Sequence, residues 1–214
     1  MARLRNLLRT KPAASPASKP ARAVIGLRNP GSEYEGTRHN SGYEVLARVL
    51  VRAGEKLGRG PSRVQAQVTQ IGAGDDRLLY AVPMTYMNES GRAVRTLLDY
   101  FDLSPSDILV IHDDIDLAFG RLRLQVGGGS GGNNGVRSIE TALGTKDFNR
   151  LKLGVGRPPG QMDPADYVLR PFTKAERAEV ELMIEDAADV VELWPTDLAR
   201  AQEKAAHRGR DSSS

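Results

Sequence analysis

Short apolar runs alternate with longer amphipathic segments over most of this chain. Short apolar or alternating runs are typical of strands, whereas apolar residues that recur every three or four positions indicate helices. The pattern predicts strands at 23–27, 64–71 and 78–82 and from 108 onwards, and helices at 42–53, 89–101, 136–143, 173–194 and 197–206. The continuous apolar run at 108–111 suits a central, parallel strand. Alternation of this kind predicts an α/β protein.

The first predicted strand ends in a polar loop that carries candidate chemistry. An Asn-Pro-Gly turn at 29–31 ends the strand, because proline fixes φ and glycine tolerates positive φ. The loop that follows contains His39 and leads into the first helix. Since α/β proteins bind ligands at the carboxyl edge of the sheet, His39 is the leading candidate for a catalytic group. The alternative is an exposed or locally hydrogen-bonded histidine.

The strand from 108 runs directly into three carboxylates, those of Asp113, Asp114 and Asp116. Hard cations prefer carboxylate oxygens, so a Mg²⁺ site is one interpretation. A second is that one aspartate orients a histidine, and a third is a solvated acidic turn. His112 follows the apolar run and is expected to be a packed residue at the strand end.

Two further segments combine turn residues with the start of a helix. Asn88 precedes the second helix and is expected either to cap it or to present its carboxamide to a cleft. The glycine-rich run 127–135 allows backbone N–H groups to approach a ligand at a helix start, which favours an anion. It is not a Walker loop, since no Gly-Lys-Ser/Thr follows, and its spacing does not fit a dinucleotide fingerprint.

Composition narrows the function classes. The 214 residues contain no cysteine, which excludes disulfides, thiolate metal sites and a cysteine nucleophile. No apolar run approaches the roughly 20 residues of a membrane span. Six of the 30 basic residues and none of the 27 acidic ones lie in 1–22, so the remainder holds 24 basic against 27 acidic residues. Nucleic-acid binding by the body must therefore come from a local patch.

Four segments, in their order and spacing, resemble bacterial-type peptidyl-tRNA hydrolase. They are Asn-Pro-Gly…Tyr…Thr-Arg-His-Asn-x-Gly at 29–42, Tyr-Met-Asn-Glu-Ser-Gly at 86–91, His-Asp-Asp-x-Asp at 112–116 and Gly-Gly-Gly-x-Gly-Gly-x-Asn-Gly at 127–135. The resemblance covers 23–200 and implies a monomeric, single-domain α/β fold with a twisted mixed, largely parallel sheet flanked by helices. The implied activity is hydrolysis of the ester between a peptide and tRNA, which recycles tRNA from stalled ribosomes in the cytoplasm.

The resemblance also assigns roles to residues of this chain. It makes His39 the base that activates water and Asp113 the carboxylate that holds its imidazole, without metal or other cofactor. The side chains implied to bind substrate are Asn29, Tyr34, Tyr86, Asn88 and Asn134, and Lys152 is the implied contact to a tRNA phosphate. Ester hydrolysis needs a base that titrates near neutrality, and amides can donate to the developing oxyanion.

Two positions depart from the family pattern. Asn133 stands where the family usually has histidine, and Gln125 stands where it usually has a basic partner for Lys152. Basic side chains that could replace that partner are Arg137, Lys146 and Arg150. Two rival functions stay open: a non-catalytic RNA-binding module on the same fold, and a Mg²⁺-dependent phosphoesterase that uses the three aspartates.

The domain organisation predicted from composition has three parts. Residues 1–22 form a disordered basic arm, 23–207 the catalytic domain, and 208–214 a disordered tail. The arm has three interpretations: an inert tail, a tether that contacts tRNA phosphates, and an organellar transit peptide. The expected partner is tRNA, with no membrane.

Overall fold

The computed structural model describes residues 19–208, in which seven strands form one sheet in the order β2-β3-β4-β1-β5-β7-β6. The strands are β1 Arg22–Gly26, β2 Gly58–Arg59, β3 Ala66–Ile71, β4 Leu78–Pro83, β5 Ile108–Asp114, β6 Leu122–Val126 and β7 Asn149–Gly154. The helices are α1 Ser41–Ala53, α2 Ser90–Phe101, α3 Asn134–Leu143, α4 Pro164–Val168, α5 Lys174–Leu193 and α6 Leu198–His207. None of these helices is long and apolar enough to cross a membrane.

The four central strands β4, β1, β5 and β7 are parallel, and the strands outside them are antiparallel. This is the mixed, largely parallel sheet that the family resemblance implied. Each central strand is buried on both faces, because successive side chains point to opposite sides. Val24 packs with α1, α5 and α6, whereas its neighbour Ile25 packs with α2 and α3. The sheet therefore lies between two layers of helices.

All the predicted elements are present, with ends that differ from the predicted ones by at most two residues. Strand β1 begins at Arg22, inside the predicted basic arm, and the backbone N–H of Ala21 already donates to the carbonyl of Arg77. The remaining arm residues 1–18 lie outside the described residues, as do 209–214 of the predicted tail. The predicted strand 64–71 is shorter, since β3 begins at Ala66.

Strand β7 is an element that the sequence pattern did not predict. Its residues alternate charged and apolar, which is typical of a half-exposed strand, yet all six are buried. The charged side chains have acidic partners: Arg150 pairs with the partly buried Glu140, and Lys152 pairs with the buried Asp114. A charge is buried in this way only when it is paired, and the pairing partners are distant in sequence.

Candidate active site

A cleft of about 610 Å³ lies at the carboxyl ends of the central strands. It is lined by Asn29, His39, Tyr86, Met87, Asn88, Asp113, Ile115, Gly131, Gly132, Asn133, Asn134, Asp163, Pro164, Ala165, Val168 and Leu169. Strand β1 runs parallel to β5, with Gly26 beside Ile111, so the two strands end at the same edge of the sheet. Segments that follow these two strands therefore meet at one edge, which is where ligands bind in open α/β sheets.

His39 and Asp113 form a buried pair in this cleft. His39 lies in a short 3₁₀ turn, Arg38–Asn40, immediately before α1, and is 7% exposed. Its Nδ1 is 2.8 Å from Oδ1 of Asp113, the penultimate residue of β5. When the carboxylate accepts a hydrogen bond from Nδ1–H, Nε2 is the nitrogen of the neutral imidazole that can take a proton.

The electrostatics of the pair favour the protonated imidazole. Burial by itself lowers the pKa of His39, because a charge in a poorly solvated site is unfavourable. The Asp113 carboxylate opposes burial through its charge and its hydrogen bond, and the net effect raises the pKa above the ordinary 6.5. His39 is thus a stronger base than a free histidine.

Neighbouring side chains fix the turn that carries His39. Arg38 is buried, donates to the carbonyls of Arg170 and Pro171, and forms a two-pronged ion pair with Glu176 at 2.8 and 2.9 Å. Asn40 holds the other side, since its Oδ1 accepts from the backbone N–H of Asn29 at 2.8 Å and its Nδ2 donates to the Asn29 carbonyl. The histidine turn is therefore braced on both sides.

The three predicted asparagines lie along the cleft in different environments. Asn29 is buried, and its Oδ1 accepts the backbone N–H of Met87 at 2.8 Å, so only its amide nitrogen is left for a substrate. Asn88 and Asn134 are exposed on the cleft wall. Asn88 does not cap α2: it sits in a 3₁₀ turn, Met87–Glu89, and Glu89 occupies the cap position without a side-chain bond. Of the two alternatives for Asn88, the cleft is correct.

Tyr34 and Tyr86 stand beside each other at the mouth of the cleft. Their rings meet edge to face with centroids 6.5 Å apart. Tyr86 is 53% exposed and lines the cleft, whereas Tyr34 is partly buried and supports the Tyr86 ring from outside the lining. Such a pair offers an exposed aromatic surface next to the polar groups.

The three aspartates at the end of β5 have separate partners. Asp113 holds His39, Asp114 pairs with Lys152 at 2.8 Å, and Asp116 pairs with Arg157. No group of three or more acidic or histidine side chains within 19–208 is arranged to hold a metal ion. His112 is fully buried as expected, and burial lowers its pKa to about 4.

The predicted phosphate contact Lys152 is in an environment unsuited to that role. It is 8% exposed, and its ammonium is held by Asp114 within the sheet, so reaching a phosphate would require breaking a buried ion pair. Gln125, its altered partner, donates to the carbonyl of Gly127. Arg150 is no substitute, because it is fully buried against Glu140, whereas Lys146 and Arg137 are exposed.

Asn133 has a structural connection to the His39–Asp113 pair that the sequence did not predict. It is the N-cap of α3, and its Oδ1 accepts the backbone N–H groups of Gly135 and Val136. Its Nδ2 donates to Oδ1 of Asp113 at 2.8 Å. An asparagine directly before a helix is a recognisable cap signal, but its second contact depends on where α3 meets β5.

The structure thus combines a mixed α/β sheet with a cleft that holds a buried histidine–aspartate pair. A family model described as peptidyl-tRNA hydrolase matches residues 23–213. The peptidyl-tRNA hydrolase of Mycobacterium tuberculosis is 51% identical over 170 residues, covering 79% of this chain and 88% of its own length. That of Paenarthrobacter aurescens is 47% identical over 182 residues, covering 85% and 94%. The chain belongs to the peptidyl-tRNA hydrolase family.

A solved structure supports this membership at the level of the fold. The crystal structure of peptidyl-tRNA hydrolase from Acinetobacter baumannii aligns with a TM-score of 0.81 at 30% identity, over 91% of this chain and 98% of that one. The predicted family, fold class and ester-hydrolase activity are confirmed, and the hydrolysis catalysed by this family is metal-independent. The predicted roles of individual residues stay predictions.

Proposed function

We propose that His39 is the general base with which this protein hydrolyses peptidyl-tRNA. The observation that carries the proposal is the 2.8 Å contact between His39 Nδ1 and Asp113 Oδ1 inside the cleft. It fixes the neutral imidazole in the tautomer whose Nε2 accepts a proton, and it stabilises the imidazolium that forms. A buried histidine with a raised pKa is suited to receive a proton from water near neutral pH.

The reaction consists of two proton transfers around one tetrahedral intermediate. Nε2 of His39 takes a proton from water while the water oxygen bonds to the ester carbonyl carbon. The bond between that carbon and the ribose oxygen then breaks, and the imidazolium returns the proton to the ribose oxygen. The products are tRNA with a free 3′ hydroxyl and a peptide with a free carboxylic acid, which releases its proton to solvent at neutral pH, so water is the only other reactant.

Amide groups on the cleft wall stabilise the intermediate and hold the peptide. The free amide nitrogen of Asn29 and the exposed carboxamides of Asn88 and Asn134 are the donors available to an oxyanion or to peptide carbonyls. One such donor contributes about 2.7–4 kcal/mol where this has been tested. Tyr86, supported by Tyr34, supplies an apolar surface for the substrate.

The cellular setting is a further part of the proposal, which the family membership supports. A protein that cleaves peptidyl-tRNA works in translation, and we place it in the cytoplasm, as a monomer that frees tRNA from chains abandoned on stalled ribosomes. The described part of the chain contains no membrane-spanning helix. The proposal assigns the tRNA phosphate contact to Lys152, whose ammonium has to leave its ion pair with Asp114 to make that contact.

The test replaces the base and uses a second histidine as control. His39→Ala is expected to lower kcat for an N-acyl-aminoacyl-tRNA by several orders of magnitude while the circular dichroism spectrum and Tm stay close to wild type. His207→Ala changes a 62% exposed side chain at the end of α6 and is expected to keep full activity. A folded His39→Ala protein with near-wild-type turnover would refute the proposal.

The same preparation separates the two rival functions. Binding of tRNA without turnover in the wild-type protein would favour an RNA-binding module. Loss of turnover in excess EDTA, restored by Mg²⁺, would favour a metal-dependent phosphoesterase. Turnover that is unchanged by EDTA is the result expected of the histidine mechanism.

A further inference from the structure

The carboxylate of Asp113 receives a second hydrogen bond that the reaction scheme does not use. Its Oδ1 accepts from His39 Nδ1 and also from Nδ2 of Asn133, each at 2.8 Å. The carbonyl oxygen of Asp113 is held as well, by His112 Nδ1 at 2.7 Å and by Asn133 Nδ2 at 3.3 Å. Asn133 therefore contacts both the side chain and the backbone of the residue that orients the base.

The orientation of the Asn133 amide is determined by its other bonds. Oδ1 of Asn133 accepts the N–H groups of Gly135 and Val136 at 3.0 and 3.1 Å, and those donors can only be satisfied by an oxygen. The nitrogen of the amide must then face Asp113. Since Asn133 is 5% exposed and anchored at the start of α3, this donor is rigid and shielded from water.

We propose that Asn133 is a positioning residue that fixes Asp113 Oδ1 and, through it, the orientation of the His39 imidazole. The inference rests on the proposed role of His39. Without the Asn133 donor, the carboxylate of Asp113 can rotate about its Cβ–Cγ bond, and the His39 imidazole is no longer held in one orientation. Loss of this orientation is expected to lower kcat more than it changes KM, because Asn133 acts on the base and not on the bound peptide.

Two substitutions separate the donor from the helix cap. Asn133→Ser keeps an oxygen able to cap α3 but has no amide to reach Asp113. Asn133→Asp keeps the size and the capping oxygen and replaces the donor by a carboxylate oxygen, which repels Asp113. Asp197→Ala removes the N-cap of α6, far from the cleft, and serves as the control for a lost cap.

The surrounding titratable groups stay the same in all variants. They are His112 and the Asp114–Lys152 ion pair behind Asp113, the Arg38–Glu176 pair behind the histidine turn, and Asp163 on the cleft wall. A change in the titration of His39 therefore reports on position 133. The readouts are kcat and KM for an N-acyl-aminoacyl-tRNA, the NMR titration of the His39 ring protons, and Tm.

The expected result for Asn133→Ser is a kcat about tenfold lower with KM within about twofold, at a Tm close to wild type. For Asn133→Asp we expect a larger loss of kcat and a His39 pKa raised above that of the wild type, since a second negative charge favours the imidazolium. Asp197→Ala is expected to lower Tm and leave kcat unchanged.

Two outcomes would overturn the proposal. One is a folded pair of Asn133 variants with wild-type kcat and an unchanged His39 titration. The other is a kcat that falls only in step with Tm while His39 titrates as in wild type, which would make Asn133 a helix cap alone. If His39→Ala were fully active, the base assignment itself would fail, and this result is separate from either outcome.

Discussion

Replacing Asp113 by asparagine removes one charge from the site and keeps the shape of the side chain. The 2.8 Å contact between Nδ1 and Oδ1 puts the two charge centres roughly 4 Å apart, where opposite charges near a protein surface interact by about 4 kcal/mol. Asp113→Asn loses that stabilisation of the imidazolium. Because about 1.4 kcal/mol corresponds to a factor of ten in rate, we expect kcat to fall about a thousandfold.

The same substitution reverses the direction of the His39 pKa shift. In the wild type the Asp113 carboxylate outweighs burial and raises this pKa above 6.5, whereas in Asp113→Asn burial acts unopposed and the pKa falls below 6.5. A general base must be neutral to act, so kcat/KM of the wild type rises with pH through the raised pKa. The acid limb of the variant's profile is expected at a lower pH.

The assay measures kcat/KM for an N-acyl-aminoacyl-tRNA across the pH range in both proteins, with an NMR titration of His39. Stability provides an independent check. A group whose folded pKa is raised contributes stability that is fully present below pH 6.5 and lost as the pH rises through the folded pKa, so the deficit of the variant is largest below pH 6.5. A folded variant whose acid limb stays above 6.5, or whose kcat falls less than about tenfold, would refute the reasoning.

Three further substitutions test the surroundings of the site. Because the folded pKa of His112 is about 4, its neutral form stabilises the fold above pH 6.5, and about 2 kcal/mol of the free energy of unfolding is lost when the pH falls from 7 to 5. Denaturant titrations of His112→Gln at both pH values should show a smaller loss of stability than those of the wild type. A Cβ on Gly42 would collide with the Ile111 carbonyl, so Gly42→Ala should lower the free energy of unfolding by about 1–3 kcal/mol, unlike Gly129→Ala, where no described atom lies within 4 Å. Arg38→Lys has one nitrogen in place of the two that bond Glu176 and the carbonyls of Arg170 and Pro171, so it should cost about 2 kcal/mol by the same measurement, and an unchanged stability would show that the histidine turn needs no such brace.

The sequence was enough to predict the strand ends and the residues that follow them. A turn signal at 29–31 and an apolar run ending in Asp113 each place polar side chains at the carboxyl edge of a parallel sheet. The meeting of His39 and Asp113 follows from two neighbouring parallel strands, an arrangement that the family resemblance supplied and local patterns alone did not.

The parts that the sequence did not predict are those that depend on distant partners. Strand β7 is buried only because Glu140 and Asp114 neutralise its charges. The sequence did not decide whether Asn88 caps α2, because similar residues begin a 3₁₀ turn and an α-helix. In the structure Asn88 lies inside a 3₁₀ turn, and the cap position of α2 falls one residue later, at Glu89. The bond from Asn133 to Asp113 requires the packing of α3 against β5, which no local rule describes.

The brace on the histidine turn has a consequence for how the protein acquires its activity. Arg38 bonds to residues that lie 132 to 138 positions later in the chain. Contacts of such long range close late in folding, and a chain leaving the ribosome presents its N-terminal part first. During its own synthesis this protein is itself a peptidyl-tRNA, with His39 and Asp113 made before α4 and α5. The cleft that cleaves such molecules is completed only when its last segments have been made.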